Sequence, residues 1–155
     1  MIRAAINNDI PEIITLLKQV HKIHSDGRPD YFKAGGIKYT EDELSDLFRD
    51  KDRPVFVYEG DSKKILGYIF CIVNTTEDSS SLNARRSLYI DDLCVDSDAR
   101  HIGIGTQLYK YAAEYAKKNG FNSITLRVWA FNKDAISFYE GLGMKAMHTT
   151  MEQIL

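Results

Sequence analysis

The strand-forming segment Ser87–Val95 constrains the fold most, because its apolar residues change phase in the middle. An alternation that runs through Leu88 and Ile90 restarts one position out of phase at Leu93. Side chains of a strand alternate with period two, so this slip predicts a β-bulge at Asp91–Asp92. Bulges re-aim side chains and are frequent beside active sites, which makes the two carboxylates candidates for chemistry.

A glycine-containing loop and a helix follow this strand. The segment 103–106 reads Gly-Ile-Gly-Thr and precedes apolar residues at helical spacing, which end at Lys117–Gly120. Two glycines at a helix start let backbone amides approach an anion, and the helix dipole favours phosphate there. A dinucleotide fingerprint needs a third glycine where Leu108 stands, and a P-loop needs a lysine after Gly105. A simple tight turn is the remaining alternative.

Periodicity and capping signals predict the other elements. They are a first strand at the amino terminus, a helix from the Asp9 cap to about His24, a short helix after Thr40, a hairpin of Val55–Tyr58 and Ile65–Val73, a polar loop Asn74–Arg86, a strand Ser123–Trp129, a short helix capped by Asn132, and a final strand or strand pair from Met144. This order predicts a single α+β domain over residues 1–155 with a mixed sheet.

Composition excludes several classes of protein. A chain of 155 residues fits one domain, and 20 Lys+Arg against 22 Asp+Glu argues against a nucleic-acid partner. Ile65–Val73 is the longest run without a charge or a turn cluster, and a membrane span needs about twenty residues. No export signal is recognisable, so a cytoplasmic protein without a membrane partner is expected. His21 and His24 have no third ligand nearby, so no metal site is expected.

A wider motif resembles a known family. Residues Arg100 to Gly105 match the Arg/Gln-x-x-Gly-x-Gly/Ala motif of the GNAT acyl-CoA-dependent N-acetyltransferases. Tyr89–Val95 precedes this motif, and Asn132 and Ser137–Met144 follow it, in the order typical of that family. The resemblance covers nearly the whole chain, is densest over residues 87–144, and has local similarity to the polyamine (spermidine/spermine) acetyltransferase type.

The resemblance implies a central sheet that is splayed at the bulged strand and flanked by helices. It also implies acetyl-CoA as co-substrate, with the pantetheine arm against the strand backbone and the pyrophosphate on the loop amides. The residues that match the family's acetyl-CoA contacts are Leu93, Cys94, Val95, Arg100, His101, Ile102, Gly103, Ile104, Gly105, Thr106 and Asn132.

The same resemblance suggests catalytic and acceptor residues. Tyr139 matches the tyrosine that protonates the departing sulfur, and a phenol with a pKa near 10 is protonated at neutral pH. A core aromatic is the alternative role. Asp92 is expected to bind the acceptor or to accept its proton, because polyamine acetyltransferases carry an acidic residue there. Asp91, His24 and Glu77 are further candidates for the acceptor side, with a surface turn or a solvated loop as the alternative for the acidic ones.

Together these features predict transfer of an acetyl group from acetyl-CoA to a primary amine of a small cationic acceptor, by direct attack in a ternary complex. Cys94 is expected to contribute backbone contacts and a buried side chain instead of an acyl-enzyme. The alternatives are an acetyltransferase for protein N-termini or lysines, and a non-catalytic acyl-CoA sensor. A homodimer is expected, because homodimers are common in the family.

Overall fold

The computed structural model describes residues 1–155 and contains one five-stranded sheet, whose strands lie in chain order. The strands are β1 (Ile2–Ala4), β2 (Val55–Glu59), β3 (Ile65–Thr76), β4 (Arg85–Val95) and β5 (Ser123–Leu126). Strands β1 to β4 are antiparallel and β5 pairs parallel with β4, so the sheet is mixed as predicted. The helices are α1 (Ile10–Gly27), α2 (Glu41–Leu47), α3 (Ile104–Lys118) and α4 (Lys133–Gly141).

Helices cover both faces of the sheet because the strands are apolar on both. One face packs against α1 and α2, around a core that includes Ile13, Leu16, Leu17, Leu44, Val57 and Tyr68. The opposite face packs against α3, around a core that includes Ile69, Leu88, Ile90, Ile104, Leu108 and Ala112. This two-sided burial fixes which face of β4 each side chain occupies.

The predicted bulge is present where the alternation slips. Across β3 and β4, Phe70 lies opposite Asp92 while Cys71 lies opposite Ile90, so Asp91 is the extra residue. Because Asp91 has no partner, Ile90 packs on the α3 face while Asp92 lies on the α1 face, beside Tyr68.

The sheet is open beyond the bulge, as the resemblance implied. Strand β5 pairs only with residues 87–90 of β4, so residues 91–95 have no strand partner on that side. The parallel crossover from β4 through α3 to β5 therefore leaves a gap at the carboxyl end of β4. No helix of the chain is long and apolar enough to span a bilayer.

The start of α2 is capped as the sequence predicts, and the start of α1 is not. Thr40 and Glu43 form the expected capping box at α2, with the Glu43 amide donating to Thr40 Oγ1 at 3.3 Å. Asp9 precedes α1 but its carboxylate does not cap it. That carboxylate instead pairs with Arg3 at 2.7 Å and accepts from the Ile6 amide, which fixes β1 against the helix start.

Several predicted boundaries are wrong. Helix α1 continues past His24 to Gly27, because Ser25 is buried and donates its hydroxyl back to the Lys22 carbonyl instead of ending the helix. The polar loop after β3 is shorter than expected, since pairing of β3 with β4 continues to Thr76 and Arg85.

The carboxyl-terminal part of the chain departs furthest from prediction. Strand β5 ends at Leu126, not Trp129, where the open sheet no longer offers a partner. The final strand or pair expected from Met144 is absent. Residues 145–155 belong to no strand and form no backbone–backbone hydrogen bond.

Candidate active site

The bulge brings two carboxylates to the α1 side of the open sheet. Asp92 Oδ2 accepts a hydrogen bond from the hydroxyl of Tyr68 at 3.1 Å. Asp91 Oδ2 accepts from the hydroxyl of Tyr39 at 2.8 Å and lies 2.9 Å from the ammonium group of Lys38. The two predicted carboxylates therefore lie together, and each is held by a neighbouring tyrosine.

Asp92 has the environment of a proton acceptor. Burial is the largest influence and raises the pKa of Asp92 to about 6, and the Asp91 charge adds to the rise. The positive charge of Lys38 and the hydrogen bond from Tyr68 oppose it. With a pKa of about 6, the carboxylate is mainly ionised at neutral pH, and the residue keeps partial contact with solvent. A carboxylate that titrates near the working pH is well matched to general-base chemistry.

Tyr139 is a residue of α4 and lies near the Asp92 carboxylate. Burial, and next the charge of Asp92, raise the pKa of Tyr139 above its usual value of 10. The phenol is therefore protonated at neutral pH and has a proton to donate. Asn132 fixes the start of α4, because its Oδ1 accepts from the Ala135 amide at 3.2 Å.

The loop before α3 exposes backbone amides. Gly103 takes the left-handed conformation, with φ +87°, which permits the turn into the helix. Gly105 lies against α4, where a Cβ would come 3.3 Å from Cζ of Phe138. None of the amides of residues 103–106 donates a hydrogen bond within the protein. Free amides at a helix start bind anions, so the loop suits a phosphate group.

The open edge of β4 also offers unpaired backbone groups. The Asp96 amide donates to the Leu66 carbonyl, so alternation directs the backbone of Cys94 to β3. The N–H and C=O of Leu93 and Val95 face the gap, where the Val95 carbonyl accepts from Nε of Arg100 at 3.2 Å. An extended ligand arm in the gap would therefore find free partners in the N–H and C=O of Leu93 and in the N–H of Val95.

Aromatic side chains of α1, of the segment after it and of the segment after β5 pack together as a wall. His24 stacks on Phe32 with 5.2 Å between ring centroids, and Phe32 contacts Trp129 edge-on at 5.4 Å. Burial lowers the pKa of His24, and the charge of Lys38 lowers it further. The imidazole is therefore neutral near pH 7. Arg28 lies over the Trp129 ring at 5.5 Å and completes this wall.

Not every predicted residue reaches the site. Glu77 follows Thr76, whose partner Arg85 lies seven residues from Asp92 along β4, roughly 20 Å away at about 3.3 Å per residue. The expected addition of its charge to the carboxylates is wrong, because the long hairpin carries it to the far end of the sheet. His101 and Ile102 lie on the exposed part of the loop.

The thiol of Cys94 is poorly suited to nucleophilic attack. Its Sγ lies 3.5 Å from the carbonyl of Leu16, inside the α1 core, and burial raises the pKa of Cys94 to about 12. A thiol with that pKa is fully protonated at neutral pH.

Three residues of the site were not predicted from the sequence. Tyr68 lies in an aliphatic run, and Lys38 and Tyr39 lie in an irregular segment before α2. Tyr68 carried a usable signal, because a buried tyrosine hydroxyl requires a hydrogen-bond partner. Lys38 and Tyr39 carried none, since their contacts depend on how the segment between α1 and α2 crosses β4.

Comparison with known proteins identifies the family. The sequence profile of the Acetyltransferase (GNAT) family matches residues 17–144. The chain is 40% identical over 97 residues to the uncharacterized N-acetyltransferase MJ1207 of Methanocaldococcus jannaschii, covering 63% of this chain and 41% of that protein. It is 36% identical over 58 residues to thialysine N-epsilon-acetyltransferase of Bos taurus, covering 37% of this chain and 34% of that enzyme.

A crystal structure of a mutant BH1408 protein from Bacillus halodurans has the same fold. It superposes with a TM-score of 0.97 at 31% identity, over 100% of this chain and 99% of that one. The matched regions span less than half the length of the two curated relatives. The chain belongs to the GNAT family of N-acetyltransferases.

Proposed function

We propose that this chain transfers the acetyl group of acetyl-CoA to a primary amine of a small cationic acceptor. The observation that carries the proposal is the position of Lys38. Its primary ammonium group lies 2.9 Å from Oδ2 of Asp91 and donates to the Asp91 carbonyl at 3.1 Å. The bulge thus binds a primary ammonium group, which is the kind of group that the reaction would acetylate. This contact lies one residue from Asp92.

On the donor side, the chain's free backbone groups fit acetyl-CoA. The amides of residues 103–106 and the positive end of α3 suit its pyrophosphate. Leu93 and Val95 turn their backbone groups to the gap between β4 and β5, which suits the amides of its pantetheine arm. Acetyl-CoA supplies a thioester that is already activated, so the chain needs no nucleophile of its own, in agreement with the buried thiol of Cys94.

Asp92 and Tyr139 then have complementary tasks. Asp92 accepts, directly or through water, the proton that an ammonium acceptor must lose before its nitrogen can attack. The nitrogen–carbon bond to the acetyl group forms, and the carbon–sulfur bond breaks. Tyr139 gives its proton to the departing thiolate, and the tyrosinate takes back, through water, the second proton that the nitrogen loses as the amide forms. Asp92 releases its proton to solvent, so the products are the N-acetylated acceptor, CoA thiol and one proton.

The acceptor class rests on charge and on one relative. The name of the bovine relative places its reaction on the ε-nitrogen of thialysine, an amine at the end of a flexible arm. Lys38 presents the same kind of amine to Asp91 in this chain. We therefore favour a small molecule with a terminal ammonium on an alkyl arm, which includes the polyamine type.

A panel of amines tests the proposal. Thiol release from acetyl-CoA would be followed with polyamines, aminoglycosides, lysine analogues, neutral amines and amino acids. We expect turnover with one cationic class of amine. The Asp91→Asn variant should have a KM for that class raised at least about tenfold. Asp61→Asn, which removes an exposed carboxylate in the β2–β3 turn, is the matched control and should leave KM unchanged. Turnover with neutral amines alone would contradict a cationic acceptor.

A lysine in a protein is the second candidate acceptor, because Lys38 itself is a lysine held by a polypeptide backbone. Lysine-containing peptides and free peptide N-termini therefore belong in the same panel. Tight acetyl-CoA binding without turnover of any amine or peptide would instead favour an acyl-CoA sensor.

A further inference from the structure

Lys38 places a primary ammonium group of the chain itself at the β4 bulge. Its Nζ lies 2.9 Å from Oδ2 of Asp91 and donates to the Asp91 carbonyl at 3.1 Å. The Lys38 side chain is 37% exposed, whereas that of Lys22, which pairs with Asp26 along α1, is 74% exposed. The chain therefore holds one of its own amines, partly shielded from water, where the proposed acceptor would bind.

The reactive end of a bound donor would arrive at the same place. The free amides proposed for the pyrophosphate, residues 103–106, begin α3, and the chain reaches them from the carboxyl end of β4. The backbone groups proposed for the pantetheine arm belong to Leu93 and Val95 of that strand, beyond its pairing with β5. A donor bound at both runs from the loop along β4 toward the bulge, so its thioester comes to the side of Asp91 and Asp92.

The groups proposed to handle protons lie near this amine. Burial raises the pKa of Asp92, and the positive charge of Lys38 is the largest influence that opposes the rise. Burial and then the charge of Asp92 raise the pKa of Tyr139. The proposed base therefore lies within electrostatic reach of both the Lys38 amine and the proposed acid.

We propose that Lys38 is a self-acetylation site, which the chain modifies with acetyl-CoA bound in its own active site; this inference rests on the proposed function. Lysine carries its nitrogen on a flexible alkyl stem. Lys38 also belongs to the segment 28–40, which contains no helix or strand. The nitrogen can therefore leave Asp91 and reach a thioester beside the bulge.

The reaction on Lys38 balances as it does for a free amine. The ammonium group gives one proton to Asp92, which releases it to solvent, and the nitrogen attacks the thioester carbon. The nitrogen–carbon bond forms and the carbon–sulfur bond breaks. Tyr139 protonates the departing thiolate and takes back, through water, the second proton that the nitrogen loses. The products are N-acetylated Lys38, CoA thiol and one proton.

The modification ends the ion pair at the bulge. An acetylated lysine nitrogen carries no charge, so it cannot hold the carboxylate of Asp91 as the ammonium group does. Each chain therefore reacts once at Lys38, and the reaction leaves Asp91 free for a cationic acceptor.

Peptide mass spectrometry of the full chain tests the inference. The chain would be incubated with deuterium-labelled acetyl-CoA and no added amine, and unlabelled acetyl groups acquired during expression would be counted in the same spectra. We expect about one acetyl group on Lys38 per chain, at a rate unchanged over about a hundredfold range of chain concentration. The ion-paired Lys22 and the exposed Lys33 are internal controls and should react at least about tenfold more slowly.

Two further measurements separate self-acetylation from chemical acetylation in solution. An excess of unacetylated coenzyme A should block labelling of Lys38 and leave that of Lys22 unchanged. Lys38→Arg keeps a positive charge but has no primary amine, so the intact chain should lose this gain in mass. Equal rates at Lys38, Lys22 and Lys33, labelling of Lys38 that coenzyme A does not block, or a rate that rises with chain concentration would overturn the inference.

The amine panel, run on the same samples, distinguishes failure of this inference from failure of the proposed function. Turnover of cationic amines with Lys38 unmodified would overturn self-acetylation and leave the proposed function standing. Labelling of Lys38 that coenzyme A blocks, without turnover of any amine of the panel, would support self-acetylation and contradict the proposed acceptor class. An absence of transfer both to Lys38 and to the panel would overturn both.

Discussion

The ammonium group of Lys38 lies 2.9 Å from Oδ2 of Asp91, next in sequence to the carboxylate proposed to accept the acceptor's proton. This contact links the acceptor side to the chemistry in two ways. A lysine of the chain takes the position proposed for a cationic acceptor, so the two compete. Its charge also lowers the pKa of Asp92, which burial raises.

The pH dependence of the reaction should report Asp92. Protonated Asp92 cannot accept a proton, so kcat/KM should fall as pH drops through about 6, the raised pKa of Asp92. In Lys38→Met the opposing positive charge is gone, so the acidic limb should move to higher pH. Profiles of kcat/KM between pH 5 and 8 would measure the shift. Lys33→Met, an exposed lysine of the same segment, should leave the limb in place.

Asp92 should lower the free energy of unfolding at pH values where its carboxylate is ionised. Its pKa in the folded chain is raised, so the folded state binds more protons than the unfolded one between about pH 4 and 6. Stability due to this group is therefore present below that window and lost as pH rises through it. Asp92→Asn should raise the free energy of unfolding at pH 7.5 by about 1–3 kcal/mol, with little gain near pH 4.

Urea unfolding at the two pH values measures this difference. Asp61→Asn, at an exposed turn, is the control and should show no gain at either pH. An Asp92→Asn variant that is less stable than the parent at pH 7.5 would show that the ionised carboxylate stabilises the fold.

The amides before α3 should determine coenzyme A affinity. Gly105→Glu places a Cβ 3.3 Å from Cζ of Phe138 and adds a negative charge beside the proposed pyrophosphate site. We expect the dissociation constant of coenzyme A, measured by calorimetry, to rise at least about tenfold. Gly141→Ala is the matched control, since its Cβ meets nothing within 4 Å. Equal coenzyme A affinity in Gly105→Glu and the parent would contradict an anion site at these amides.

Cys94 should be dispensable for turnover. Its buried, protonated thiol cannot serve as a nucleophile, so Cys94→Ala should keep kcat within about twofold. A small cavity remains, and a cost of about 1 kcal/mol in stability is expected. Steady-state kinetics and urea unfolding separate the two effects. Loss of turnover in a stably folded variant, with an acetylated thiol on Cys94 of the parent, would support an acyl-enzyme instead.

Much of the fold and part of the site follow from local patterns. The phase slip in β4 predicted the bulge, because one extra residue must break a period of two. Positions that depend on distant pairing were less predictable. The place of Glu77 depends on the length of the β3–β4 hairpin, and the ion pair of Lys38 depends on where an irregular segment crosses β4. The tail after Met144 has strand-forming residues, but no local pattern shows whether an edge is available to it.

A comparison of Tyr139→Phe with Tyr111→Phe tests whether Tyr139 protonates the departing thiolate. Tyr139→Phe removes the hydroxyl of the proposed proton donor. Tyr111→Phe removes the hydroxyl of an exposed tyrosine of α3. Acetylated amine would be quantified by mass spectrometry under saturating acetyl-CoA, with coenzyme A affinity measured on the same samples. We expect a fall of about a hundredfold or more in kcat for Tyr139→Phe, at unchanged coenzyme A affinity, and parental activity for Tyr111→Phe. Full turnover by Tyr139→Phe would contradict this role.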